Sequence, residues 1–443
     1  MQQGSLPDHV IFYGIFTKLP TKSLSRFKCI NKAWCDWITS PQFKKLHLLN
    51  QNSSSTLTED DFIVLISKYS SDNRLFSLPN MEWNDDNCSR LKYGLLEMDC
   101  AFKSPDTLPY VAGSCNGLLL VNINDGGVDK SECPNFYIWN PCRKDDYISL
   151  PRPSCLSSGG YSWVCLDAVG FFYDSVLDDY KVIIIVSSFI DDLDRYANEG
   201  IIYTTRTNTW RKVRSRVPQD MTICGTGYFT NGAVHWPAHR ARRSLHLREL
   251  RDKIMVISFS IGSEEWREIP LTMDFEGDYE LAPMFSITSR GKLYIHYTYY
   301  HYRGNSSVVD FHTKVHELMI NKGQQNSCSS SSSSSSSDNW GEVWSLQSGD
   351  SMVKKVDFLV DNMVLVTWGF DDNDDNREFG LYNFIQGTRF SNAFDEVLKT
   401  KPFSDLNWFE AVRYCRSLVS PRQLIMTHLL DKKQNSSMTQ FAS

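Results

Sequence analysis

The chain has 443 residues, 41% hydrophobic and 22% charged, an ordinary globular composition long enough for more than one domain. A formal net charge of −6 offers no basic face for general nucleic-acid binding, and the longest aliphatic run, Val182 to Val186, is too short to span a bilayer. Aromatic residues make up 13% of the chain, which favours pleated sheet for its bulk.

The first fifty residues read as helical. Ile11, Ile15 and Leu19 recur at four-residue spacing, and Pro20 stops that helix because it has no N–H to donate. Asn31 is the expected N-cap of a second helix, in which Trp34, Trp37 and Ile38 share one face. Ser40-Pro41 is expected to end it, and the polar stretch "QNSSSTLTEDD" reads as a linker. A helical unit this small cannot bury its own apolar surface. It packs either on the rest of this chain or on another one, and the hydrophilic spacer behind it favours a partner chain.

From about Asp61 the pattern changes to short strands between turn residues: "DFIVLIS", "GLLLVNI", "YKVIIIV", "GAVHW", "IMVISFSI", "GKLYIHY", "MVLVTWGF". A loose repeat runs through them. Turns at Asn116-Gly117, Asp174, Asn231-Gly232 and Arg290-Gly291 follow one another at 58, 57 and 59 residues. A second element, a strand, a polar turn, an aromatic and a hydrophobic exit, keeps the same time, with Trp210 and Trp266 56 residues apart. Repeats of this length, each a few strands, predict propeller blades rather than an irregular sandwich or barrel. Ser329 to Ser337 is an unbroken serine run, expected to be a surface loop, and His239 to Lys253 is a strongly basic insertion.

Candidate chemistry is sparse. His235 and His239, and His312 and His316, are four apart, a spacing that serves metal binding on a helix, but both pairs sit in strand-like sequence. "GSCNG" at Gly113 to Gly117 has the outline of a nucleophile elbow, yet a strand follows where the elbow needs a helix. No catalytic, metal or cofactor-binding residues are therefore assigned. Arg240, Arg242, Arg243 and Arg248 are candidate contacts for an acidic substrate, since guanidinium forks pair with carboxylates and phosphates; a solvated loop is the plainer reading. The twelve cysteines are scattered without a CxxC pair, and "MQQGSLPDHV" lacks a basic region followed by an apolar run. Reduced thiols in the cytoplasm or nucleus are expected.

Leu6-Pro7, Leu19-Pro20, Leu24-x-Arg26, Cys29, Lys32-x-Trp34 and Ser40-Pro41-x-Phe43 together resemble an F-box, with Phe16 where leucine is usual. "GSCNGLLLV", "FYIWNPCRKDDYISLP", "TNGAVHW", "FSIGSEEWREIP" and "VRYCRSLVSP" resemble the plant F-box-associated, kelch-like domain. The resemblance implies a small all-α module at 1–50, a linker at 51–60, an all-β, propeller-like substrate-binding domain at 61–421 with a serine loop at 327–337, and a tail at 422–443. It implies a non-enzymatic substrate-recognition subunit of a ubiquitin ligase. Such a subunit binds a Skp-type adaptor, through it a cullin and a RING protein, and a protein target. Leu6, Pro7, Ile11, Ile15, Leu19, Pro20, Leu24, Phe27, Cys29 and Trp34 become the expected adaptor contacts or their supports. A propeller hydrolase or lectin, or an F-box scaffold outside a ligase, are the alternatives.

Overall fold

The computed structural model describes residues 7–53, 61–67, 75–79, 81–82, 90–91, 96–98, 108–124, 135–153, 164–190, 195–223, 225–240, 254–271, 280–289, 292–302, 309–319, 339–349, 352–360, 363–369, 377–383, 388–390 and 409–425. The basic residues from 241 to 253 and the serine run lie outside the described residues.

The helical module opens with a wide helix over Val10–Ile15 and a tight turn over Phe16–Lys18. Leu19 and Pro20 are extended, and the chain re-enters helix in α1 (Thr21–Phe27). Asn31 caps α2 (Lys32–Thr39), its Oδ1 accepting from the Trp34 amide at 2.8 Å, as its side chain suits it to do. Ser40-Pro41 ends α2, as expected, and it also opens a further helix. Ser40 Oγ accepts from the Phe43 amide at 3.2 Å and so caps a third helix, α3 (Pro41–Ser53). Proline at the first helical position loses no hydrogen bond, which is why this pair starts a helix as readily as it stops one. α3 runs past the Asn50 boundary drawn from the sequence and takes in the start of the expected linker.

Apart from a two-stranded ribbon (Met81–Glu82 with Arg90–Leu91) and the short strand Thr222–Ile223, the strands group into six four-stranded antiparallel units, the third and fourth continuous with each other. The second holds Leu108–Cys115, Leu118–Asn124, Asn135–Trp139 and Tyr147–Ser149. The third runs Val164–Asp174, Asp179–Ile190, Arg195–Thr204 and Thr209–Lys212. The fourth runs Gly225–Thr230, Ala233–His239, Ile254–Ser260 and Trp266–Pro270. The fifth begins at Glu280–Ser289 and the sixth at Met352–Val360. From the second sheet to the sixth, the leading strand of each lies beside that of the next, and three parallel pairs, Ala168 with Gly225 to Gly170 with Gly227, join the third sheet to the fourth.

The repeat read from the sequence is the blade itself. Asn116-Gly117 and Asn231-Gly232 are the first hairpin turns of the second and fourth sheets, with φ of 53° and 74°, and 51° and 76°. Two successive positive φ angles make the turn that matches strand twist, and Asn-Gly is the pair that adopts it most easily. Asp174 and the positive-φ Asp178 serve the third sheet in the same place. Trp210 and Trp266 sit on the outermost strands of the third and fourth sheets. Between neighbouring sheets lie apolar cores. Leu120, Ile138, Val169 and Tyr203 fill the second–third space, and Ile185, Trp236, Ile257 and Phe259 the third–fourth.

The first sheet is built from both ends of the chain. Strand β1 (Asp61–Ser67) pairs with the closing strand Phe409–Cys415, from Asp61 opposite Cys415 to Ser67 opposite Phe409. The closing strand also lies beside Leu108–Cys115 of the second sheet.

Candidate functional site: the apolar face of the helical module

The module has a filled core. Phe16, Leu24, Ile38 and Phe43 are buried at its centre. Phe16 stacks on Phe27 with ring centroids 5.6 Å apart and meets Trp34 edge-on at 5.0 Å, while Phe12 stacks on Trp37 at 5.4 Å. Each such pair adds about 0.5–1.5 kcal/mol beyond the area it buries. α3 pins the Leu19-Pro20 corner. His47 Nε2 lies 2.8 Å from the Leu19 carbonyl, and because a carbonyl only accepts, that nitrogen carries the proton. Asn50 Nδ2 donates to the Thr17 carbonyl at 3.4 Å.

Large apolar side chains nevertheless remain outside. Tyr13 is 55% exposed, Ile15 39% and Ile30 57%. Of the residues chosen from sequence, Pro7 and Cys29 are also exposed; Ile11, Leu19, Pro20, Phe27 and Trp34 are half-buried at the rim of the core; Leu24 is wholly interior. Leu6 lies outside the described residues. Tyr13 and Ile30 escaped the sequence reading because neither sits on the Ile11–Ile15–Leu19 stripe.

The opposite side of the module is covered from within the chain. Leu418, just after the closing strand, is buried in the same core as Phe16 and Leu24. The Arg416 carbonyl accepts from Thr21 Oγ1 and from Gln51 Nε2, both at 3.3 Å, joining the start of α1 to the end of α3. Lys44 Nζ donates to Gln423 Oε1 at 2.6 Å, and Lys45 meets Asp178 of the third sheet at 3.2 Å. Burial pushes the Lys44 ammonium down to about 8, with Lys28 and Arg143 adding repulsion. The hydrophilic spacer suggested a free module, but residues after the closing strand return to it, a contact that local composition does not record. The helical turn at 421–425 likewise packs through Leu424 and Ile425 on the second–third core, where the sequence reading began a tail at 422.

The other candidates are placed as follows. Arg240 donates to Glu268 Oε2 at 2.7 Å; Arg242, Arg243 and Arg248 lie outside the described residues. Cys115 ends a strand before the Asn116-Gly117 turn, and burial pushes its thiol up to about 12, so it holds its proton. His235 and His239 share one strand, where four residues span about 13 Å, too far for one metal ion. Among the described residues no three His, Cys, Asp or Glu side chains gather as metal ligands, and no helix is long and apolar enough to cross a membrane.

Comparison with known proteins agrees with this geometry. The F-box domain model matches residues 5–46, and the F-box associated beta propeller domain model matches residues 62–299, more than half of the chain. An Arabidopsis thaliana F-box/kelch-repeat protein is 26% identical over 266 residues, 58% of this chain and 63% of its own length. An F-box/WD-40 repeat-containing protein of the same plant is 24% identical over 278 residues, 60% of this chain and 56% of its own. The chain thus spans about three fifths of the length of the curated relatives it matches. Among solved structures, the β-propeller domain of the Trilobed protease from Pyrococcus furiosus is similar at a TM-score of only 0.30 and 9% identity, covering 79% of this chain and 97% of that one. The chain carries an N-terminal F-box and belongs to the F-box-associated β-propeller family.

Proposed function

We propose that this chain is the substrate-recognition subunit of a Skp–cullin–F-box ubiquitin ligase. Its helical module binds a Skp-type adaptor, and through it a cullin and a RING protein. The propeller holds a protein target, and the transfer chemistry is done by other subunits. One observation carries the reading: Tyr13, Ile15 and Ile30 stay exposed on a module whose interior is already filled. Burying a side chain of this size is worth roughly 1.5–3 kcal/mol, so a few of them suffice to drive association. Pro7, Ile11, Leu19, Pro20 and Cys29, exposed or half-buried on the same module, would share the contact, with Leu6 beside Pro7 in sequence. Leu24, Phe27 and Trp34 would support it from beneath.

Cys115, the one nucleophile in a suggestive motif, is held as a neutral thiol. Within the basic segment Arg240 is engaged with Glu268, so an acidic target would meet Arg242, Arg243 and Arg248 instead. The work would be done in the cytoplasm or nucleus.

The test is co-purification with a plant Skp adaptor. Wild-type protein is expected to give a stoichiometric complex. Ile15→Asp is expected to abolish it while leaving the circular dichroism spectrum unchanged, because Ile15 lies outside the core. Leu19→Ala combined with Pro20→Ala is expected to weaken it strongly. An unaltered complex in Ile15→Asp would remove the exposed face from the argument, and no complex with wild-type protein would end the ligase reading.

A further inference from the structure

The segment that finishes the propeller also finishes the F-box. After the closing strand, residues 416–420 form no regular element and touch both the helical module and the second sheet. Some of their groups serve the helical module. The Arg416 carbonyl ties α1 to α3, and Leu418 completes the core around Phe16, Leu24, Ile38 and Phe43. Others are fixed to the second sheet. Buried Asn140 donates through Nδ2 to the carbonyls of Ser417, at 3.1 Å, and of Val419. Ser420 Oγ donates to Asp146 Oδ1 at 2.7 Å, and Val419 packs on the second–third core. The Asn116-Gly117 turn lies so close beneath Ser417 that a Cβ at Gly117 would stand 2.4 Å from the Ser417 Cβ. Asn140 itself is set by its turn, with Oδ1 accepting from the Cys142 amide at 2.9 Å.

We propose that the F-box of this protein becomes a finished, ordered module only once the propeller ring has closed. The reason is physical. α1 has seven residues and α2 eight, lengths that do not hold as helices without packing. The unit is too small for an autonomous core, and one of its five core side chains arrives from the far end of the chain. Residues 7–53 are made well before the residues that lock them. A chain that stops short of Leu418, or whose first sheet stays open, carries an F-box sequence without an ordered F-box. On the ligase reading above, recruitment of the adaptor is thereby conditional on a complete substrate-binding domain; the coupling itself does not depend on that reading.

The experiment is amide hydrogen exchange on the full-length chain with no adaptor present. It compares the wild type with Leu418→Val, Leu418→Ala and Asn140→Ala. Protection over α1 to α3 is expected to fall in the order wild type, Leu418→Val, Leu418→Ala, by at least tenfold in the last. Protection over 180–186 and 254–259 in the third and fourth sheets is expected to hold. Asn140→Ala, on the second sheet, is expected to deprotect the same helices by releasing the segment from below. Val256→Ala, between the fourth and fifth sheets, is the control and leaves the helices protected. Unchanged helix protection in Leu418→Ala and Asn140→Ala overturns the proposal. So does loss of helices and sheets in step at every severity, which would make the two a single cooperative unit.

Discussion

Gly117 and Gly232 occupy the same place in two blades and have nearly the same backbone, φ of 74° and 76°. They differ in what surrounds them. Nothing lies within 4 Å of a Cβ built on Gly232, whereas one on Gly117 would meet Ser417 Cβ at 2.4 Å and the Cys415 carbonyl oxygen at 2.5 Å. Gly232→Ala therefore bears only the left-handed backbone cost, about 1–2 kcal/mol. Gly117→Ala bears that cost and also pushes the closing segment off the second sheet. Urea unfolding is expected to show a clearly larger loss for Gly117→Ala, with the surplus measuring the docking. Equal losses would show that the segment gives way freely. The sequence makes both turns plain, because Asn-Gly has a local conformational preference. It says nothing of Ser417, because a partner three hundred residues away leaves no local trace.

Single helices and strands show the same division between local and distant causes. The Asn31 cap is legible because its bond is to Trp34, three residues on. Ser40-Pro41 is half legible: the pair ends α2 as expected, but that it also starts α3, which packs on Phe16–Lys18, is not written locally. The histidines are misleading for a related reason: i, i+4 is one face of a helix but also one face of a strand. In Ala233–His239, His235 lies buried with Nε2 3.3 Å from the Thr230 carbonyl. Burial pushes its pKa down to about 4, from an ordinary 6.5, with Arg267 adding to the effect. The unfolded chain then binds more protons than the folded one between those values. The stability that follows is fully present above pH 6.5 and is lost as pH falls towards 4, by roughly 3 kcal/mol for this side chain. His239 and His316 are pushed the same way by burial. The melting temperature of the wild type is expected to drop through this window. In His235→Asn the drop should be smaller, since asparagine keeps a donor for Thr230 but takes up no proton. An equally steep fall in the variant would assign the acid sensitivity to other groups.

At the scale of the whole molecule, the sequence showed a chain of similar units but not the way the chain closes. The units are legible because each blade buries the same kinds of side chain against its neighbour, so turn and aromatic positions recur. The sixth sheet loses the rhythm because the serine run enters the sequence of the fifth, between Val309–Met319 and Asn339–Gly349. Closure is illegible because an alternating strand does not name its partner, and Phe409–Cys415 pairs with a strand near the other end of the chain. That pairing carries a strong consequence. Val412 lies opposite Val64 and packs with Tyr414 on Trp139, in the core between the first and second sheets. Proline there has a fixed φ and no N–H, and its ring crowds the neighbouring backbone of a strand paired along its whole length with Asp61–Ser67. Without the closing strand, Asp61–Ser67 is an unpaired edge, and unpaired edges add strands from other molecules. Val412→Pro is expected to give species larger than the wild type by light scattering, and to deprotect the F-box helices in the exchange measurement. Val412→Thr, which keeps the ladder, is expected to do neither. A Val412→Pro protein of wild-type size with protected helices would mean that the ring stays shut without this ladder and that the F-box is ordered independently of it.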